Sequence, residues 1–138
     1  MLGVRIRSLH FAIQNWLIVV RQIAVMIEPE TFRDQIVQAL ELASSAASQT
    51  DYARDVPIAD VVAETIETWF DIYHPSVPTF GVAFNRAERE ALAEYASTIE
   101  GISSSVAGMT LREFQSSPFS ARLALAAKRA LAAMAAKS

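Results

Sequence analysis

Cysteine is absent from this 138-residue chain, which excludes disulfide staples, thiolate zinc sites and a cysteine nucleophile. Glycine and proline are scarce, at four and five residues. With 52% hydrophobic residues, this is the composition of a chain that buries a core, not of a disordered or collagen-like one. Histidine occurs only at His10 and His74, and each is expected at a surface or helix end rather than as a general base. Long apolar runs are missing too. In SLHFAIQNWLIVVRQIAVMI, residues 8 to 27, the uninterrupted runs are only WLIVV and IAVMI, and Arg21 would lie deep in a bilayer. Gln14 and Asn15 interrupt the same segment as a signal peptide, and no small-residue cleavage site follows. The expectation is a cytoplasmic protein without a membrane span. There is no glycine-rich phosphate loop, Gly-x-Ser-x-Gly elbow or His-x-x-x-His pair.

What is present is acid, concentrated in the middle. The net charge is -3 overall, but residues 51 to 100 hold ten acids against three arginines, and both ends of the chain are basic. A central field of that sign repels nucleic acid and attracts cations or a basic protein.

The apolar residues recur at helical spacing. Leu9, Ile13, Trp16, Val20, Ala24 and Ile27 share a face, as do Phe32, Ile36, Leu40, Ala43 and Ala47. Pro29 suits the first turn of the second of these helices. The polar stretch 44 to 55 reads as a frayed end and loop, with Asp55 capping a helix that Pro75 ends. The connection HPSVPTFGVAF, with two prolines and a glycine, reads as irregular. Asn85 with Glu88, and Thr110 with Glu113, have capping-box spacing; Met109 and Phe114 add the staple positions. Leu92, Tyr95, Ile99, Ile102 and Val106 form one apolar face, and Ser117-Pro118 opens an alanine-rich helix in which Lys128, Arg129 and Lys137 suit the negative end of the dipole. The predicted architecture is a single-domain, all-α helical bundle of about five or six helices.

The segment DVVAETIETWFDIYHP, residues 60 to 75, carries the candidate site. Asp60, Glu64, Glu67 and Asp71 fall within an arc of roughly 60° at about 100° per residue, opposite Val62, Ile66, Trp69 and Tyr73. Carboxylates turned away from the core form a solvated or partner-facing stripe, whereas a buried metal cage needs them pointing inward from facing helices. Asp51 and Asp55, in the preceding loop, extend the stripe, and Glu90 and Glu94 offer a second acidic surface. No cofactor or metal is expected. Asp71 with His74 makes only half of a di-iron pattern, and Glu64 with Glu67 could start a magnesium site that Glu88, Glu90 and Glu94 do not complete. A small all-α metal-dependent nucleotide hydrolase using Glu64 and Glu67 is therefore the alternative to a binding protein, with a non-catalytic helical adaptor as a third reading.

The run HPSVPTFGVAFNRAEREALAEYASTIEGI followed by LREFQSSPFSARLALAAKRALAAM resembles the contact-dependent growth inhibition immunity proteins. The resemblance lies in Phe84 ahead of a capped acidic helix from Asn85 to Glu90, in Tyr95 three residues after Leu92, and in a leucine-led turn before an alanine-rich helix. Phe119 stands where a tryptophan is expected. The resemblance implies a non-enzymatic, cytoplasmic protein that binds one cognate toxin domain, often a nuclease. Nuclease surfaces are basic, so an acidic inhibitor competes for the same ground.

Overall fold

A computed structural model describes residues 28–136. The expected N-terminal amphipathic helix, with Trp16, and the basic residue Lys137 lie outside the described residues. Among the described residues seven helices take up 81% of the positions and no strand occurs, so the fold is all-α. They are α1 (Pro29–Ser44), α2 (Ala46–Asp55), α3 (Val61–Ile72), α4 (Pro78–Ala83), α5 (Arg86–Val106), α6 (Leu111–Gln115) and α7 (Pro118–Ala135). No helix among the described residues is long and apolar enough to cross a membrane.

The capping signals work as read. Asn85 and Thr110 each close a complete capping box with Glu88 and Glu113, and Pro29 and Pro118 occupy first turns, where a missing N–H costs nothing. Between α5 and α6 the chain reverses at Gly108, whose φ of 80° suits a residue without Cβ. The centre of the bundle is α7, which packs against both α1 and α5. Its fully buried Ala127 and Ala130 let those helices approach closely.

The apolar faces of α1 and α5 are buried as their spacing demanded: Phe32, Ile36, Leu40 and Ala43 on one, Leu92, Tyr95, Ile99, Ile102 and Val106 on the other. Ala47 departs from its expected face and is exposed. The cause is Ser45, which adopts an extended conformation, ends α1 and caps α2 by accepting from the Ser48 N–H. The segment 44 to 55 is therefore mostly helix, not loop, and Asp51 and Asp55 are helical residues. Gln49 stabilises the break. Its buried amide donates to the Leu42 and Ala43 carbonyls, which the end of α1 leaves without helical partners, and its Oε1 accepts from Gln115 of α6.

Two further expectations are corrected. Asp55 ends α2 and does not cap α3; Asp60 does, accepting from the Ala63 N–H at 3.1 Å. Lys128 and Arg129 lie within α7, whose last turn holds no basic residue. The connection expected to be irregular contains α4, begun by Pro78 and held by Phe80 and Phe84. These rings meet Phe32 edge-on at centroid distances of 6.0 and 5.9 Å. Phe80 also meets Tyr73, which stacks on Trp69 at 4.8 Å, and Trp69 in turn meets Tyr95 edge-on at 4.5 Å. One row of rings thus ties α1, α3, α4 and α5 together.

One ion pair is built into this frame. Arg33 of α1 donates from Nη1 to Glu88 at 2.9 Å and to the Ala83 carbonyl at 2.8 Å, and its guanidinium lies 5.5 Å from the centre of the Phe84 ring. Glu88 is 4% exposed. The same carboxylate accepts from the Asn85 N–H at 2.8 Å, so the cap of α5 is also its tether to α1.

Candidate partner-binding surface on α3

Helix α3 buries Val62, Thr65 and Trp69, with Ile66 and Tyr73 partly covered, which orients it as the helical wheel predicted. The opposite side is a ridge between two grooves. The larger, about 510 Å³, lies among α1, α2 and α3, with Gln38, Leu42, Tyr52, Glu64, Thr68 and Ile72 in its walls. The smaller, about 190 Å³, lies between α3 and the C-terminal end of α5, lined by Ala63, Ile66, Glu67, Ser103 and Gly108 among others.

The four carboxylates of the expected stripe therefore have different roles. Asp60 is a cap at the edge of the smaller groove. Glu64 is half-buried in the wall of the larger groove, beside Tyr52. Its acceptor oxygens first, then partial desolvation and the carboxylate charge, push the Tyr52 phenol pKa up, because each favours the protonated phenol. Glu67 borders the smaller groove, and Asp71 is exposed further along the ridge. Among the described residues no ion pair reaches Glu64, Glu67 or Asp71.

Outside α3 the expected acids are mostly compensated. Asp51 and Asp55 share Arg54, at 3.2 and 3.6 Å, and Glu90 pairs with Arg86 at 3.2 Å one helical turn away. Glu94 is exposed without an ion pair among the described residues, and it lines neither of the two grooves beside α3. No family model, curated protein or solved structure matches the chain.

Three groups at this surface escaped the sequence reading. Phe70, between Glu67 and Asp71, is 43% exposed and makes the ridge part apolar. Its position about 100° from Trp69 on the wheel was the available signal. Glu100 approaches from α5: burial first, and then the Glu100 charge, raises the Tyr73 phenol pKa. Glu41 of α1 lines the larger groove opposite α3. Only the packing of α1 and α5 against α3 brings Glu41 and Glu100 to this side.

Chemically, the surface offers carboxylates, amides and hydroxyls. Glu64 borders the larger groove and Glu67 the smaller. Among the described residues no three acidic or histidine side chains gather as metal ligands. The His74 imidazole is engaged locally, donating from Nε2 to the Asp71 carbonyl at 2.6 Å.

Proposed function

We propose that this chain is a non-catalytic binding protein whose α3 ridge docks on a basic toxin domain and masks its working surface, the role that its resemblance to immunity proteins implies. The observation that carries the reading is the exposed pair Glu67 and Asp71, without ion pairs among the described residues, flanking the part-exposed Phe70. Like charges on one helix face repel one another. A cationic partner removes that cost, and an aromatic side chain among the charges supplies contact area of the kind that dominates interfaces. The divergence of Glu64 and Glu67 into separate grooves favours this reading over metal-dependent hydrolysis.

The test is co-purification with the toxin domain encoded by the adjacent gene, then association rates measured across an ionic-strength series. Association should slow as salt rises, since charges beyond about 8 Å are screened at physiological ionic strength. Glu67→Lys with Asp71→Lys should slow it further at low salt while leaving helicity unchanged, because exposed charges contribute little to stability. Phe70→Ala should act mainly on the dissociation rate. A double lysine variant that associates and protects cells like the parent refutes the role of the ridge.

A further inference from the structure

We infer that the groove among α1, α2 and α3 is an arginine pocket: it takes a guanidinium-bearing side chain presented by the partner and anchors it beside the ridge. This deepens the binding role proposed above and rests on it. The groove, at about 510 Å³, is within the size range of sites that enclose small ligands. Its walls carry the carboxylates of Glu64 and Glu41, and among the described residues no lysine or arginine lines it. Arg54, the basic residue of α2, is held by Asp51 and Asp55, and Arg33 by Glu88.

The chemistry of the walls selects the cation. Leu42, Ile72 and Ala39 supply an apolar bed for a methylene stem, while Glu64, Glu41 and the amide oxygens of Gln35 and Gln38 offer acceptors in several directions. A planar group with five donors uses such a set more fully than a compact ammonium, and it is more weakly hydrated. Glu64 is half-buried in the groove wall beside Tyr52, and its carboxylate has acceptor positions for an incoming donor.

The test requires no toxin. The isotopically labelled chain is titrated with N-acetyl-arginine amide, with its uncharged analogue N-acetyl-citrulline amide, and with N-acetyl-lysine amide, while backbone amide shifts are followed. Arginine amide should give saturable shifts at Gln38, Leu42, Thr65 and Thr68, with lysine amide weaker and citrulline amide weaker still. Glu64→Gln, which keeps the shape and removes the charge, should weaken arginine amide at least tenfold. Should that variant fail to fold, Glu41→Gln on the exposed rim and the comparison of probes on the parent chain decide the same question. Equal binding of citrulline amide, shifts confined to Glu67 and Asp71, or no saturation would overturn the pocket and leave the ridge to its own salt series. A groove that binds arginine amide in a chain that forms no complex with the toxin keeps the pocket and removes the toxin as its source.

Discussion

Replacing Glu88 tests whether the link between α1 and α5 is as important as its geometry implies. Glu88→Ala removes three things at once: the charge-assisted bond to Arg33 at 2.9 Å, the acceptor for the Asn85 N–H at 2.8 Å, and a carboxylate that is 4% exposed. Breaking a fully buried pair costs about 3 to 5 kcal/mol because a charge is left stranded. Here the stranded group is Arg33, whose side chain is 32% exposed, and it keeps both its bond to the Ala83 carbonyl and its place against Phe84. Partial rehydration brings the ionic part to about 1.5 to 3 kcal/mol. Loss of the cap contact adds about 1 kcal/mol, for a total of about 2.5 to 4 kcal/mol.

Glu88→Gln separates the contributions. The amide oxygen still accepts from the Asn85 N–H, so only the ionic part is lost and the expected cost is about 1.5 to 3 kcal/mol. Urea unfolding followed by far-ultraviolet circular dichroism supplies the free energies, and the denaturant slope should not change if only native contacts are lost. A double-mutant cycle of Glu88→Gln with Arg33→Met should return a coupling of about 1 kcal/mol or more. A cost below about 1 kcal/mol for Glu88→Ala, or no coupling in the cycle, refutes the argument and reduces the pair to a surface contact.

Trp69→Ala should cost about 3 to 5 kcal/mol in the same assay, since a fully buried ring in contact with Tyr73 and Tyr95 leaves a cavity. Trp69→Phe should cost less than half as much, because the indole Nε1 is buried without an acceptor among the described residues and deleting it forfeits no hydrogen bond there; equal costs would reveal a partner for that N–H. Burial raises the Tyr95 phenol pKa well above its ordinary value. The neutral form is favoured in the folded state, and the unfolded chain sheds this proton near pH 10, so stability is complete below that pH and declines above it. Tyr95→Phe should flatten the decline of the urea midpoint above pH 10, and an unchanged slope would contradict the assignment.

The fold was legible wherever a local rule coincided with an apolar face. Asn85 with Glu88, Thr110 with Glu113, and the prolines at helix starts are interactions within four residues, and the capping boxes formed as read. The failures occur where a distant residue decides. Residues 44 to 55 look like a loop because their own composition is polar, yet the Gln49 amide satisfies the end of α1 and binds Gln115, which is 66 residues away. The α4 segment looks irregular because of Pro75, Pro78 and Gly81, yet Phe80 and Phe84 fill space against Phe32. Glu88 was legible as a cap but not as a buried ion pair, because Arg33 lies 55 positions earlier.

The candidate site divides along the same line. A helical wheel places Glu64, Glu67 and Asp71 on one side of α3, and it does so correctly because that side is defined by α3 alone. The wheel treats them as equivalent, and packing makes them unequal: α1 and α2 rise on one flank and the end of α5 on the other, so Glu64 enters one groove while Glu67 borders the second. Charge that looked continuous in sequence is thus sorted by its neighbours. Asp51, Asp55 and Glu90 have cations within reach, and Asp60 is engaged as a cap. For the proposed partner this leaves a short exposed segment, Glu67, Phe70 and Asp71, beside a groove that holds Glu64. A contact surface of that size is specified by a few side chains, whereas the wider acidic field acts at a distance and fades with salt. Under the proposed binding role, Phe70→Ala and substitutions in the groove should alter how long a complex lasts, charge reversal at Glu67 and Asp71 should also slow its formation at low salt, and substitutions at the compensated acids should alter only how fast it forms.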